Sequence, residues 1–136
     1  MSAEDNVRIV QRMYRAFLQR DVPGTLAHLH DDVTWTVPGS AAVPMAGVRR
    51  DLTAVSQPFE MVDNGLHFSR FEPREHIAQG NQAAALVRYE GHHKATGKAF
   101  AAGSAMVWTL EQGKAVAFQE YTDTEALAKA SSAAGT

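Results

Sequence analysis

Cysteine is absent from this chain of 136 residues. That excludes disulfides and thiolate metal sites, and nothing points to an oxidising compartment. An excess of charge of one sign is also missing. Lys and Arg number 13 against 15 Asp and Glu, and the longest basic cluster is Arg49-Arg50, so nucleic acid is not an expected partner. No apolar run approaches the roughly 20 residues of a membrane span. The opening "MSAEDNVRIV" is polar and acidic, unlike a signal peptide, and a cytoplasmic location with no membrane partner is the expectation. There is no Gly-rich phosphate loop, nucleophile elbow or metal-binding motif, so neither a metal nor an organic cofactor is expected. Repeats and low-complexity linkers are lacking too. What remains is 45% apolar residues, enough for one domain over 1–136 with a real core. The small, polar tail at 131–136 is expected to fray.

The first third reads as helix. In "AEDNVRIVQRMYRAFLQRD", Val7, Val10, Met13 or Tyr14, Phe17 and Leu18 recur at spacings of three and four and form one apolar stripe. Pro23 suits the first turn of a second helix, with Leu26 and Leu29 on one face and Asp31-Asp32 closing it. "VTWTV" alternates as a short strand ending at Pro38-Gly39. "GVRRDLTAVSQPFEMV" reads as a third helix stopped near Pro58.

From residue 66 the period becomes two. "LHFSRFEPREHIAQG" is a strand whose Pro73 argues for an edge or a bulge. Turns at Gly80-Asn81, "TGK" and Gly113 divide the remainder into three further strands. The class is α+β, with helices packed on one face of an antiparallel meander. In "AFAAGSAMVWTLEQ", Phe100, Ala102, Ser104, Met106, Trp108 and Leu110 share a bulky face suited to a core or pocket. Ala99, Ala101, Gly103, Ala105, Val107 and Thr109 make the opposite, small and flat face, which predicts a homodimer through the sheet's outer side.

Two carboxylates stand out in "AVAFQEYTDTEALAKA". On "KAVAFQEYT", Val116, Phe118, Glu120 and Thr122 share one face, opposite Ala115, Ala117, Gln119 and Tyr121. If Phe118 points beneath the helices so does Glu120, and lost hydration would raise its pKa into a range useful for proton transfer. The alternative is a Glu120 solvated at the open end of the sheet or paired with an arginine. Asp123 is explained without chemistry as a helix N-cap; Thr122 and Thr124 are alternative caps, and Glu125 lies three residues after Thr122 as a capping box requires. Among the histidines, His28 and His30 face different directions and make a poor metal pair, and His67 and His76 read as strand-surface residues. Inward Ala85, Val87 and Tyr89 carry His93 to the same side, where it could donate a proton or simply be exposed. Trp35 and Trp108 at strand positions read first as core, and two tryptophans and a tyrosine beside a carboxylate would also suit a flat or apolar ligand.

The order of elements, "RMYRAFLQRDVPGTLAHLHDDVTWTVPG" and "TGKAFAAGSAMVWTLEQGKAVAFQEYTDTEAL" resemble the SnoaL-like branch of the nuclear-transport-factor-2-like superfamily. Relatives there include polyketide cyclases, limonene-epoxide hydrolase and ketosteroid isomerase. The resemblance spans nearly the whole chain. It implies a cone-shaped, cystatin-like α+β barrel in which three N-terminal helices close a curved mixed or antiparallel sheet around an apolar pocket, usually in a homodimer. It places Glu120 where the epoxide hydrolase has its water-activating aspartate and the cyclases an acid/base aspartate. The hydrolase's arginine and second aspartate correspond to Val87 and Tyr89, so its triad is not reproduced. The isomerase's general base corresponds to Val37 and its first oxyanion-hole tyrosine to Met13, with Tyr14 out of phase; its second oxyanion acid falls near Ala105 or Met106.

The expectation is therefore a cofactor-independent cyclase- or isomerase-like enzyme acting on a small apolar molecule bearing a carbonyl or epoxide. Glu120 would move the proton, with Tyr89 and His93 as donors. Met13, Tyr14, Phe17, Trp35, Val37, Val87, Ser104, Met106, Trp108 and Phe118 would line the ligand site. A non-catalytic domain that binds a hydrophobic ligand or dimerises is the alternative, and an epoxide hydrolase a third.

Overall fold

The computed structural model describes residues 2–132. Helix α1 (Ala3–Leu18) starts at a reciprocal cap: Ser2 Oγ accepts the Asp5 N–H and the Asp5 carboxylate accepts the Ser2 N–H. Its apolar stripe buries Ile9, Val10, Met13 and Tyr14, whereas Leu18 lies half in solvent. Asp21 caps α2 (Val22–Leu26) by accepting the Gly24 N–H. This helix is shorter than the sequence predicts. Leu29, Asp31 and Asp32 belong instead to strand β1 (Leu29–Val37). Leu29 pairs with Ala115, and the Ala115 N–H donates to the His28 carbonyl. A single helical turn has few internal bonds to set against a sheet partner.

The second correction falls on residues 47–50, read as the start of a helix. They form strand β2 (Gly47–Arg50), antiparallel to β1. Helix α3 (Leu52–Gly65) begins only after Asp51, whose carboxylate accepts the Ala54 N–H, and it continues through Pro58. Pro58 cannot donate to the Ala54 carbonyl, but burial of Val55, Pro58 and Phe59 holds the helix on the sheet.

The meander follows as β3 (Leu66–Gln79), β4 (Gln82–His93), β5 (Ala99–Glu111) and β6 (Lys114–Tyr121). Strand order in the curved sheet is β2-β1-β6-β5-β4-β3, with β1 parallel to β6 and every other pair antiparallel. The sheet does not close, and β3 is one of its edges. Register shifts between Phe68 and Arg70 and between Pro73 and Glu75 match the expected edge and bulge. Close by, a Cβ at Gly91 would lie 2.0 Å from the His67 carbonyl oxygen, so this contact between β3 and β4 admits only glycine.

Alternation on β5 is as expected: Phe100, Ala102, Ser104, Met106, Trp108 and Leu110 are all buried, while Ala99, Ala101 and Gly103 are exposed. On β6 the early phase is corrected. Thr109 faces Ala117 but Leu110 faces Ala115, so Val116 bulges and Ala115 turns into the core. Asp123 caps α4 (Thr124–Ser131) by accepting the Ala126 N–H at 3.0 Å. Glu125 pairs with Lys129 and forms no box with Thr122. Ser131 and Ser132, expected to fray, are held by bonds from Ser131 Oγ to the Ala42 carbonyl and from Lys98 Nζ to the Ser132 carbonyl; 133–136 lie outside the described residues. Among the described residues no helix is long and apolar enough to cross a membrane.

Candidate active site

The inner face of the sheet, α1, α3 and α4 surround a cavity of about 110 Å³ whose wall is almost wholly apolar. Met13, Tyr14 and Phe17 reach it from α1, Trp35 and Val37 from β1, Tyr89 from β4, Met106 and Trp108 from β5, and Phe118 and Glu120 from β6. Among the described residues lining it, Glu120 is the one acid. Two residues after Phe118, it comes in on the same face because the bulge at Val116 lies behind it.

Ser104 Oγ donates to Glu120 Oε2 at 3.1 Å, and the Tyr89 hydroxyl donates to the same oxygen at 3.4 Å. Oε1 takes no bond from the described residues. Tyr89 also lies 2.5 Å from Thr122 Oγ1. With one proton on each hydroxyl, Thr122 can donate to Tyr89 while Tyr89 donates to Glu120, a short chain ending on the carboxylate. Burial raises the Glu120 pKa above the ordinary 4.5, and the bonds from Ser104 and Tyr89 pull it back only in part. Burial, then the neighbouring Glu120 charge, also raises the Tyr89 pKa, so the phenol keeps its proton. The result is a desolvated carboxyl group that accepts from two hydroxyls on one oxygen.

Tyr14 is occupied elsewhere: its hydroxyl accepts from Trp108 Nε1 at 3.1 Å and donates to Met106 Sδ. Trp35 stacks on Phe118 at 3.9 Å between ring centroids. Three sequence-predicted residues do not reach the cavity wall. Val87 is buried opposite Ser104, and Ser104 acts only through Glu120. His93 lies four residues beyond Tyr89, about 13 Å along an extended strand, where its N–H donates to the Lys98 carbonyl at the turn. His76, read as a surface residue, is half-buried with its ring edge-on to Tyr14, and burial lowers its pKa.

Sequence reasoning missed Thr122 as a partner of Tyr89, and missed Phe59, Phe68 and Phe71 in the wall. These three rings and Phe17 also border a larger recess of about 380 Å³, rimmed by Arg20, Asp63 and Lys94. A helix read through Pro58 would have placed Phe59, whereas the bulges of β3 hide the phase of Phe68 and Phe71.

A family model described as SnoaL-like domain matches residues 10–118. An NTF2-like protein from Burkholderia xenovorans is 31% identical, covering 97% of this chain and 99% of that one, with a TM-score of 0.88. An NTF2-like protein of unknown function from Burkholderia pseudomallei is 30% identical, with coverage of 96% and 98% and a TM-score of 0.85. TerC, co-crystallised with polyporic acid, is 25% identical, with coverage of 93% and 98% and a TM-score of 0.82. No curated protein matches the chain. Matched by the family model over most of its length and sharing its fold with NTF2-like structures, the chain belongs to the SnoaL-like domain family.

Proposed function

We propose that the chain is a cofactor-independent enzyme of cyclase or isomerase type. It moves a proton on a small, largely apolar molecule that bears a carbonyl. The observation that carries this reading is Glu120: one acid in an apolar wall, bonded through Oε2 to Ser104 and Tyr89 and open at Oε1. Oε1 takes a proton from carbon beside the carbonyl, and the same proton returns to a different position of the substrate. Charge is balanced at each step, and no group outside the chain is required. Loss of hydration strengthens the base, while Ser104 and Tyr89 hold the plane of the carboxylate. Hydration of an epoxide is disfavoured, since Val87 and Tyr89 supply neither the cation nor the second acid that the resemblance associates with it.

A space of about 110 Å³ is below the roughly 300–1,000 Å³ of pockets for drug-sized ligands. A ring or chain end fits inside, and the rest of a larger substrate would extend past the four phenylalanines into the adjoining recess. The co-crystal of TerC with polyporic acid supports a ligand site in a chain of similar fold. The tightness of the chamber equally supports a second reading, a domain that binds an apolar ligand without turning it over. A homodimer through the outer face completes the proposal, since Ala99, Ala101 and Gly103 leave that face flat and exposed.

The test is Glu120→Gln, assayed on compounds with an acidic proton beside a carbonyl. Turnover should fall by about 10²-fold or more while folding and ligand affinity persist. Unchanged turnover would remove Glu120 from the chemistry, and ligand binding with no turnover in the parent chain would establish the binding-domain reading.

A further inference from the structure

Two histidines face each other across the ladder that joins β3 to β4. His67 is directly opposite His92 in the register, and their ring centroids are 5.1 Å apart with the planes tilted by 37°. Both residues are exposed, so water and dissolved ions reach the rings. The backbone beneath them is held on both sides. The Lys94 N–H donates to the Gly65 carbonyl at 2.8 Å on one side, and glycine at position 91 admits the His67 carbonyl on the other. Glu90, two residues before His92 on the same face, is bonded to Arg70 at 3.2 Å, and on β5 the residue level with His92 is Ala99. Among the described residues no third His, Cys, Asp or Glu joins the two into a larger metal-binding cluster. The pair therefore offers two imidazole nitrogens and no carboxylate.

Two imidazoles on one tetrahedral ion, each with a metal–nitrogen bond of about 2.0–2.1 Å, have ring centres about 5 Å apart. The separation of 5.1 Å between His67 and His92 is already of that size. We propose that these two side chains form a binding site for a late first-row divalent ion of the zinc or copper type. Imidazole suits such ions, whereas magnesium and calcium call for oxygen ligands. The paired strands fix both backbone positions in advance, so binding costs only the rotation of two side chains. Water completes the coordination. His28 and His30 make no such pair: His28 Nδ1 lies 3.0 Å from the Gly24 carbonyl, and His30 Nδ1 accepts the Asp32 N–H. The site stands apart from Glu120, since neither His67 nor His92 lines the cavity. Bound there, the ion ties edge strand β3 to β4 and stabilises the fold in proportion to its occupancy.

Uniformly ¹⁵N-labelled, tag-free chain would be titrated with zinc chloride and, separately, with magnesium chloride, while the ring nitrogens of its six histidines are followed. The expected result is a joint shift of the His67 and His92 rings that saturates at one zinc per chain, with magnesium silent. His67→Asn and His92→Asn assign the two signals; contacts to Ala99 assign His92 in the parent chain if a variant does not fold. Each replacement should weaken zinc about tenfold or more, since loss of a group that merely supports a ligand already costs that much. His30→Ala should leave the affinity as it was. Zinc bound with equal affinity by both Asn variants would overturn the proposal. So would a response from one of the two rings alone, or none from either at millimolar zinc. Proton transfer by Glu120 is read in its own assay and survives any of these failures.

Discussion

Glu120 couples chemistry to stability with opposite signs. Burial raises its pKa in the folded chain above the unfolded value near 4.5, so folding favours the protonated form. The stability this group contributes is complete below the unfolded pKa and is lost as pH rises through the folded one. The proposed base needs the ionised form, so activity should rise over the same interval. Glu120→Gln should therefore melt at a higher temperature than the parent at pH 8, with the difference vanishing toward pH 4. Thermal unfolding across that range checks it, and a gap that does not change with pH would mean the carboxylate is not desolvated. Tyr89 does not titrate in this window, because burial and the nearby carboxylate hold its proton well above neutrality.

At the level of elements, the division of labour between the carboxylates three apart is a matter of where β6 ends and α4 begins. Asp123 satisfies the Ala126 N–H and is exposed, so Asp123→Ala should cost about 0.5–2 kcal/mol in chemical denaturation and leave turnover intact. Loss of activity without loss of stability would exchange the roles of the two acids. The cap and the face that Glu120 shares with Phe118 were legible because both depend on neighbours within a few residues, whereas which way that face points is set by the helices packed on the sheet. So was β5, whose bulky and small faces differ at every step from Ala99 to Leu110. The misread segments depend on distant partners. Leu29 is extended because β6 lies beside it, and Gly47–Arg50 is a strand only because β1 is there to pair with. Pro58 stays helical because burial outweighs one missing bond. In the site, alternation found Glu120 and Tyr89 but overshot to His93, since a strand keeps its phase while it travels out of the cavity.

For the whole molecule, the two proposed tasks fall on the two faces of one sheet. The concave side holds the cavity beneath the helices, and the outer side offers Ala101, Gly103 and a Tyr121 that is 59% exposed. If copies pair there, Ala101→Arg should convert a dimer to a monomer in sedimentation velocity without altering the cavity. A parent chain that sediments as a monomer at micromolar concentration would dismiss the pairing. The rims behave differently from the faces. Strand β3 is interrupted by two bulges and Pro73 and carries Arg70, Glu72 and Arg74, while β2 is four residues long and ends in Arg49 and Arg50. Neither rim offers a neighbouring chain a straight, uncharged backbone on which to template. Crowding these molecules thus leaves growth by strand addition without a foothold, and pairing through the outer face, if it occurs, would stop at closed pairs instead of running on into fibres.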